Sequence, residues 1–415
     1  MFHHKYCNIL KRTIVHSLNR KNHVKLSENL TKPIVLGIET SCDDTGCAIV
    51  DGTGNILGEA LFSQNALHVR CGGINPLVAH ELHRDNIDNV VNEALGNAGL
   101  KIKDVDAIAV TTKPGLLISL QVGVKYAKYL AKQYNKPLIP IHHMEAHALI
   151  PRMCKDIPFP FIVLLVSGGH CLLAVVNHID DFVLLGQSID NAPGEVLDKI
   201  ARRMKLRNIP TYSTMAGGRA VELAAKGAKY PDLFKFPLPL ARYRDCNFSF
   251  SGIKDYFVRK LVQMENEHGI MGNEIIPEYR DFCAALQLAV AEHLVHRTER
   301  ALLFCEEEKL IDTSIKNIIV SGGVACNDFI FKSIEFIANK WNYKTIRLPP
   351  RLCTDNGIMI AWNGVEKYKK ELDIVSDFNI KDIDPTAPLG RNYINNVQAA
   401  NLPVKATKLH ILYDT

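Results

Sequence analysis

Three short apolar segments followed by alternating helical and extended segments occur twice along this chain, with equivalent starts at Ile34 and Phe161, 127 residues apart. In the first copy, Ile34–Glu39, Gly46–Val50 and Ile56–Phe62 have the length and β-branched content of strands. A helix follows over Leu77–Ala98, where Leu82, Ile87, Val90, Val91 and Leu95 recur at helical spacing. Strand Asp106–Thr112, helix Leu120–Tyr134 and strand Pro137–Ile141 complete a β-β-β-α-β-α-β order. The second copy runs through strands at Pro160–Val166, Cys171–Val176 and Phe182–Gln187. Helices over Glu195–Met204, Tyr279–Glu307, Phe329–Trp341 and Gly357–Lys369 then alternate with strands Ile318–Val320 and Lys344–Leu348. Repetition on this scale predicts two α/β halves of one plan, facing each other across a cleft. The halves are expected over residues 34–155 and 156–390. Residues 205–275 read as an insertion of loops and short helices, and 391–415 as a C-terminal tail.

This order resembles the duplicated actin-like, ribonuclease-H-like fold (the ASKHA plan) shared by sugar kinases, actin and chaperone ATPases, so the fold alone leaves function open. Charge narrows the setting. Residues 1–33 hold seven Lys or Arg and a single acid, Glu28. That leader carries +6 of a formal net charge of +5, which leaves −1 for the rest. Basic and nearly acid-free, it reads as a mitochondrial transit peptide, which makes the matrix the expected location. The alternative is a basic arm that touches nucleic acid. Eleven cysteines without a C-x-x-C pair argue for a reducing compartment and against a disulfide scaffold or zinc ribbon. The longest apolar stretch, Phe161–Val176, is interrupted by Ser167, Gly168, Gly169 and His170, so no membrane insertion is expected.

The chemistry concentrates at predicted strand ends. In Ile141-His-His-Met-Glu-Ala-His147, His143 and His147 stand at i and i+4, one helical face apart, a spacing that suits two ligands of one divalent metal. Glu145 falls about 200° around the helix from His143, so it faces away and a zinc-protease reading fails. The turns Ser167-Gly-Gly-His170 and Ser321-Gly-Gly-Val324 offer backbone N–H groups to a phosphate or ribose. Gly217-Gly218 with Glu222 would make the adenosine end of such a cradle. Thr354 or Asp355 is expected to cap the last helix, and a carboxylate from the second half could supply a third metal ligand across the cleft. The segment Glu39–Thr45 follows the first strand, where it could position phosphate or water, or simply form a solvated turn.

Taken together, these motifs closely resemble the tRNA N6-adenosine threonylcarbamoyltransferase family, its mitochondrial branch in particular. The matching segments are Gly37-Ile-Glu-Thr-Ser-Cys-Asp-Asp-Thr45, His142-His-Met-Glu-Ala-His147, Leu165-Val-Ser-Gly-Gly-His170, Phe248-Ser-Phe-Ser-Gly-Ile-Lys254, Ser321-Gly-Gly-Val-Ala-Cys-Asn327 and Cys353-Thr-Asp-Asn-Gly357. The resemblance implies one divalent ion per subunit (zinc, iron or magnesium) on His143, His147 and Asp355. It implies substrate contacts at Leu165, Val166, Ser167, Gly168, Gly169, His170, Cys171, Asp198, Gly218, Glu222, Cys326, Asn327 and Thr354. Departures are Ala146 for a common Gly, Cys171 for a common Thr, Asn191 for a frequent Asp, and the missing Pro-Gly-Gly-Pro after Asp198. The implied reaction moves threonylcarbamoyl from threonylcarbamoyl-AMP to N6 of adenosine 37, in the anticodon loop of tRNAs reading codons that begin with A, by a homodimer. Glu39 or Asp43 is expected to take the amine's proton. An actin-like small-molecule kinase or ATPase is the chief alternative, and a tRNA-binding module without turnover the second.

The leader is directly testable. A fusion of residues 1–40 to a reporter is expected to enter mitochondria and lose the leader, and a reporter that stays in the cytosol contradicts the transit reading.

Overall fold

The structure is a computed structural model that describes residues 32–413, except 72, 232, 312–313 and 376–382. The leader expected over 1–33 therefore lies, save its last two residues, outside the described residues. The chain divides into two compact units.

The first unit comprises the described residues of Met1–Met153 and Asp355–Ala387. Its sheet contains β1 (Val35–Glu39), β2 (Asp44–Val50), β3 (Ile56–Ser63), β4 (Ala107–Lys113) and β5 (Leu138–His142), in the order β3-β2-β1-β4-β5. The first three strands pair antiparallel, whereas β4 runs parallel to β1 and β5 parallel to β4. β1 is buried along its whole length, as expected of a central strand covered on both faces. The helix Pro76–Ala98 starts where the Asn75 side chain accepts from the N–H groups of Leu77 and Val78. It stops at Gly99 in the left-handed region, φ 64°. Ile87, Val90, Val91 and Leu95, read from helical spacing, are among its buried residues, whereas Leu82 is only half-buried.

The helix Gly357–Lys369 belongs to this first unit, although the chain order places it in the second half. Residues 355–387, expected within the second half over 156–390, thus belong to the first unit instead. The reason is close packing. A Cβ added at Gly37 of β1 would lie 2.2 Å from the backbone N of Ala361, and one at Gly357 would lie 2.4 Å from the carbonyl carbon of Cys47 in β2. Helix and sheet backbones meet where neither carries a side chain.

The second unit comprises the described residues of Cys154–Thr354 and Pro388–Thr415. Its strands are β6 (Phe161–Val166), β7 (Cys171–Val176), β8 (Phe182–Gln187), β9 (Asn317–Ser321), β10 (Lys344–Arg347) and β11 (Arg391–Asn392), in the order β10-β9-β6-β7-β8-β11. Apart from β11, this is the order of the first sheet, so the duplicated actin-like plan is present. The helix Tyr279–Glu307 spans 29 residues and is buried on nearly every side, as a core helix is.

Two expectations need correction here. Residues 205–275 are more than loops and short helices, because Ser251–His268 forms an 18-residue helix. It buries Ile253, Phe257, Leu261 and Met264 and ends at Gly269, φ 65°. Residues 391–415 are not a loose tail. β11 pairs parallel with β8, and Val397 in the helix Ile394–Ala400 is buried, as is Leu409 beyond it. Among the described residues no helix is long and apolar enough to cross a membrane.

The Gly37 contact can be measured. Gly37→Ala is expected to cost about 1–3 kcal/mol of stability through overpacking, read from urea unfolding. An unchanged midpoint and slope would contradict the close approach described.

Candidate functional site

Both sheets place their polar residues at the carboxyl ends of their three mutually parallel strands, β1, β4 and β5 in the first unit and β6, β9 and β10 in the second. In the first unit, Glu39 ends β1, Thr111 sits near the end of β4, and His143 follows β5 directly. His142 caps the short helix His143–Leu149 by accepting, through Nδ1, the Met144 N–H at 3.2 Å. That helix presents His143 and His147 side by side, with ring centroids 4.6 Å apart.

Asp355 completes the cluster. Its Oδ1 lies 3.0 Å from His147 Nε2 and 3.5 Å from His143 Nε2. One ligand atom from each of the three residues falls within 4.8 Å of the others. The expectation that Asp355 reaches the histidines across a cleft needs correction, since all three residues belong to the first unit. Nor does Asp355 or Thr354 cap the helix. Asn356 does so, its Oδ1 accepting the Met359 N–H at 2.9 Å, which leaves the Asp355 carboxylate for the histidines.

Two imidazoles and one carboxylate are a donor set that suits a divalent ion and leaves positions open for substrate oxygens. The surrounding groups fit as well. The Nδ1 of His143 faces Glu39 Oε2 at 3.1 Å and Ser41 Oγ at 3.2 Å, an arrangement that fixes the ring and aims Nε2 at the ligand position. Burial lowers the His143 pKa, but Asp355 and Glu39 outweigh it and raise it to about 9. A cation is therefore favoured here whether it is a proton or a metal.

Glu39 is fully buried and also accepts the Ser41 N–H and, at 2.6 Å, the Thr111 hydroxyl. Burial raises its pKa, yet His143 and Ser41 together hold it below the ordinary carboxylate range. A carboxylate so engaged positions His143. Asp43 differs. Burial first, and Asp355 second, push its carboxyl above the ordinary range. The loop that carries it is pinned by His83, which contacts Thr45 Oγ1 at 2.7 Å and the Cys42 carbonyl at 3.0 Å. Sequence reasoning missed His83, Ser41 and Thr111. For His83 the available signal was a polar residue on the apolar face of a helix. Glu145 points elsewhere, its Oε2 lying 3.5 Å from Lys367 Nζ.

The second unit holds a cavity of about 640 Å³. Gly168, Asp198, Gly218, Glu222, Cys326, Asn327 and Thr354, all expected at the substrate, line it. The Asp198 carboxylate accepts the Gly218 N–H at 2.7 Å and so anchors the start of the helix Gly217–Ala225. Glu222 accepts the Asp328 N–H at 2.9 Å and pairs with Arg219. Asn327 caps the helix Asp328–Lys340 and donates to Gln287 Oε1 at 2.8 Å.

Six of the thirteen expected substrate residues lie off this lining. Leu165 and Val166 at the end of β6, and Cys171 paired with Val166, are buried strand residues that do not line the cavity. Ser167, Gly169 and His170 form the hairpin turn instead, with Ser167 Oγ accepting the His170 N–H at 3.0 Å. Arg347, Gly194 and Gly323 line the cavity without having been anticipated. Arg347, at the end of β10, pairs with Asp328 Oδ1 at 2.9 Å and brings a guanidinium to the wall.

The two glycines of equivalent turns differ in their demands. A Cβ at Gly168 would meet nothing within 4 Å, whereas Gly322 has φ 98° and a Cβ there would lie 2.3 Å from the Val166 carbonyl oxygen. Gly168 leaves room inside the cavity, and Gly322 is required by the fold itself.

The sequence model of the family described as TsaD, tRNA N6-adenosine threonylcarbamoyltransferase, matches residues 55–362. The mitochondrial tRNA N6-adenosine threonylcarbamoyltransferase of Rattus norvegicus is 46% identical over 399 residues, covering 96% of each chain. The enzyme of that name from Homo sapiens is 47% identical over 379 residues, covering 91% of each chain. Among solved structures, HypF from T. kodakarensis aligns with a TM-score of 0.50 at 15% identity, over 85% of this chain and 49% of its own, a likeness of fold alone.

The metal cluster yields a prediction with a built-in control. His147→Ala should lose the bound ion, measured as metal content of the purified protein, while Glu145→Ala should retain it. Glu39→Gln should weaken metal affinity by about 10–100-fold. Stoichiometric metal in His147→Ala would reduce the pair to packing histidines.

Proposed function

The chain belongs to the tRNA N6-adenosine threonylcarbamoyltransferase family, and we propose that it transfers threonylcarbamoyl from threonylcarbamoyl-AMP to N6 of adenosine 37 in mitochondrial tRNAs reading codons that begin with A. The observation that carries this reading is the His143, His147 and Asp355 cluster, which a small-molecule kinase or a mere binding module would leave idle.

The cavity of the second unit takes the adenylate. The bare backbone at Gly168 and Gly323 lets phosphate or ribose approach, Arg347 offers positive charge, and the Glu222 carboxylate accepts from a hydroxyl. His143, His147 and Asp355 would hold a divalent ion that supplies Lewis-acid polarisation and orientation of substrate oxygens. The donor set favours zinc or iron over magnesium. Glu39 keeps the His143 ring in place throughout. The N6 amine attacks the carbamoyl carbonyl carbon, a C–N bond forms, and the bond from that carbon to the phosphate oxygen breaks, so AMP leaves. Asp43, whose carboxyl burial and Asp355 push above the ordinary range, takes the amine proton.

The working form is a homodimer. Leu61, Leu67, Ile74 and Leu77 of the first unit, all exposed, provide apolar surface for a second copy.

The test is transfer itself. Purified protein, threonylcarbamoyl-AMP and unmodified tRNA are combined, and the nucleosides are analysed by mass spectrometry. Threonylcarbamoyladenosine should appear at position 37, and nucleotide hydrolysis without modified tRNA would favour the ATPase reading. In the same assay Gly168→Val should weaken AMP binding with stability unchanged, whereas Gly322→Val should unfold the protein. Unaltered AMP affinity in Gly168→Val would remove the turn from the nucleotide site.

A further inference from the structure

The last described residues of the chain return along the buried helix Tyr279–Glu307, within the second unit. Arg300 Nε donates to the Leu402 carbonyl at 3.1 Å, Thr407 Oγ1 donates to Glu299 Oε2 at 3.4 Å, and Leu409 is buried. Tyr413 then reaches the first turns of that helix. Its ring stacks on Phe329, with centroids 4.3 Å apart, and its hydroxyl donates to the Ala284 carbonyl at 3.0 Å.

The same hydroxyl oxygen accepts from Gln287 Nε2 at 3.0 Å. That bond ends a directional chain. Asn327 commits its Oδ1 to the Ile330 N–H at 3.0 Å, which leaves Nδ2 to donate, and it donates to Gln287 Oε1 at 2.8 Å. Gln287 is 2% exposed, so with its oxygen already used its amide nitrogen needs an acceptor inside the protein. The Tyr413 oxygen is that acceptor. A Gln287 amide turned the other way would set its NH2 against the NH2 of Asn327.

The far end of this chain is a turn that holds the cavity wall. Next to Asn327, the Asp328 N–H donates to Glu222 at 2.9 Å, and the Asp328 carboxylate pairs with Arg347 at 2.9 Å. Asn327, Asp328, Glu222 and Arg347 all line the cavity. We propose that Tyr413 is a positioning residue for this cavity: through Gln287 and Asn327 it fixes the turn from which Glu222 and Arg347 are set for nucleotide. The hydroxyl touches no substrate. It acts by holding two buried amides in one orientation, and a buried polar chain that loses its last acceptor loosens along its length.

The functional half of this proposal rests on the nucleotide reading of the cavity, so the experiment reads the wall and the binding separately. Full-length protein is compared with Tyr413→Phe and with a chain ending at Leu409. Tyr413→Phe keeps the ring against Phe329 and removes only the hydroxyl. Hydrogen exchange of the segment Gly323–Phe331, read by mass spectrometry, is expected to quicken about threefold or more in both variants, with helix Pro76–Ala98 of the first unit unchanged. AMP affinity by calorimetry should fall about 3–10-fold in Tyr413→Phe, the worth of one hydrogen bond. In transfer, the loss should appear in KM for threonylcarbamoyl-AMP and not in kcat, whereas a loss of folded protein would lower apparent kcat at constant KM. Gln287→Met already breaks the chain, so adding Tyr413→Phe to it should weaken AMP binding no further. Additive losses, or unaltered AMP affinity in Tyr413→Phe, overturn the route to the nucleotide. Unaltered exchange at Gly323–Phe331 overturns the positioning of the wall. If the wild-type protein fails to bind AMP, the nucleotide reading falls, while the exchange still decides whether Tyr413 holds the wall.

Discussion

The first unit depends on an approach of helix Gly357–Lys369 to β1 and β2 so close that Gly37 and Gly357 have no room for a methyl group. This packing takes a segment that follows the second unit in sequence and seats it on the first sheet. Asp355, two residues before the helix, is carried with it to His143 and His147. Any side chain at Gly37 or Gly357 would push the helix out and move the carboxylate from its partners. The candidate metal cluster is therefore a consequence of backbone packing as much as of ligand identity.

Around the ligands the sheet supplies a graded set of polar groups. Thr111 and Ser41 hold Glu39, Glu39 holds His143, and His143 faces Asp355. Each link is buried or nearly so, which fixes ring and carboxylate orientation before any ion arrives. Asp43 stands outside that chain, on a loop that His83 pins, and its carboxyl is not consumed by holding a ligand. The second unit uses the same carboxyl-end positions of its own parallel strands for another purpose. It presents bare backbone and the guanidinium groups of Arg219 and Arg347 to the cavity in which adenylate binding is proposed.

Much of this was legible in the sequence, because it rests on local periodicity. The i,i+4 histidines, the strand-ending glycine turns and the buried stripe Ile87, Val90, Val91 and Leu95 each follow from spacing within one element. What escaped depends on distant segments meeting. Nothing local says that helix Gly357–Lys369 packs on β1, that Glu39 lies behind His143, or that Arg347 reaches the cavity wall. Leu165, Val166 and Cys171 misled because a turn motif marks where a chain bends, and not which of its side chains face outward. The helix Ser251–His268 was a local feature missed. Its apolar spacing and terminal Gly269 were present, but lay within a stretch dominated by Pro and Gly clusters.

The central claim is that His143, His147 and Asp355 together hold the ion on which transfer depends. X-ray absorption at the metal edge of the loaded protein tests this directly. Two imidazole nitrogens and a carboxylate oxygen are predicted at about 2.0–2.2 Å, and His147→Ala, which should not retain the ion, should give no such shell. A shell of sulfur at about 2.3 Å, or of oxygen alone, would contradict it.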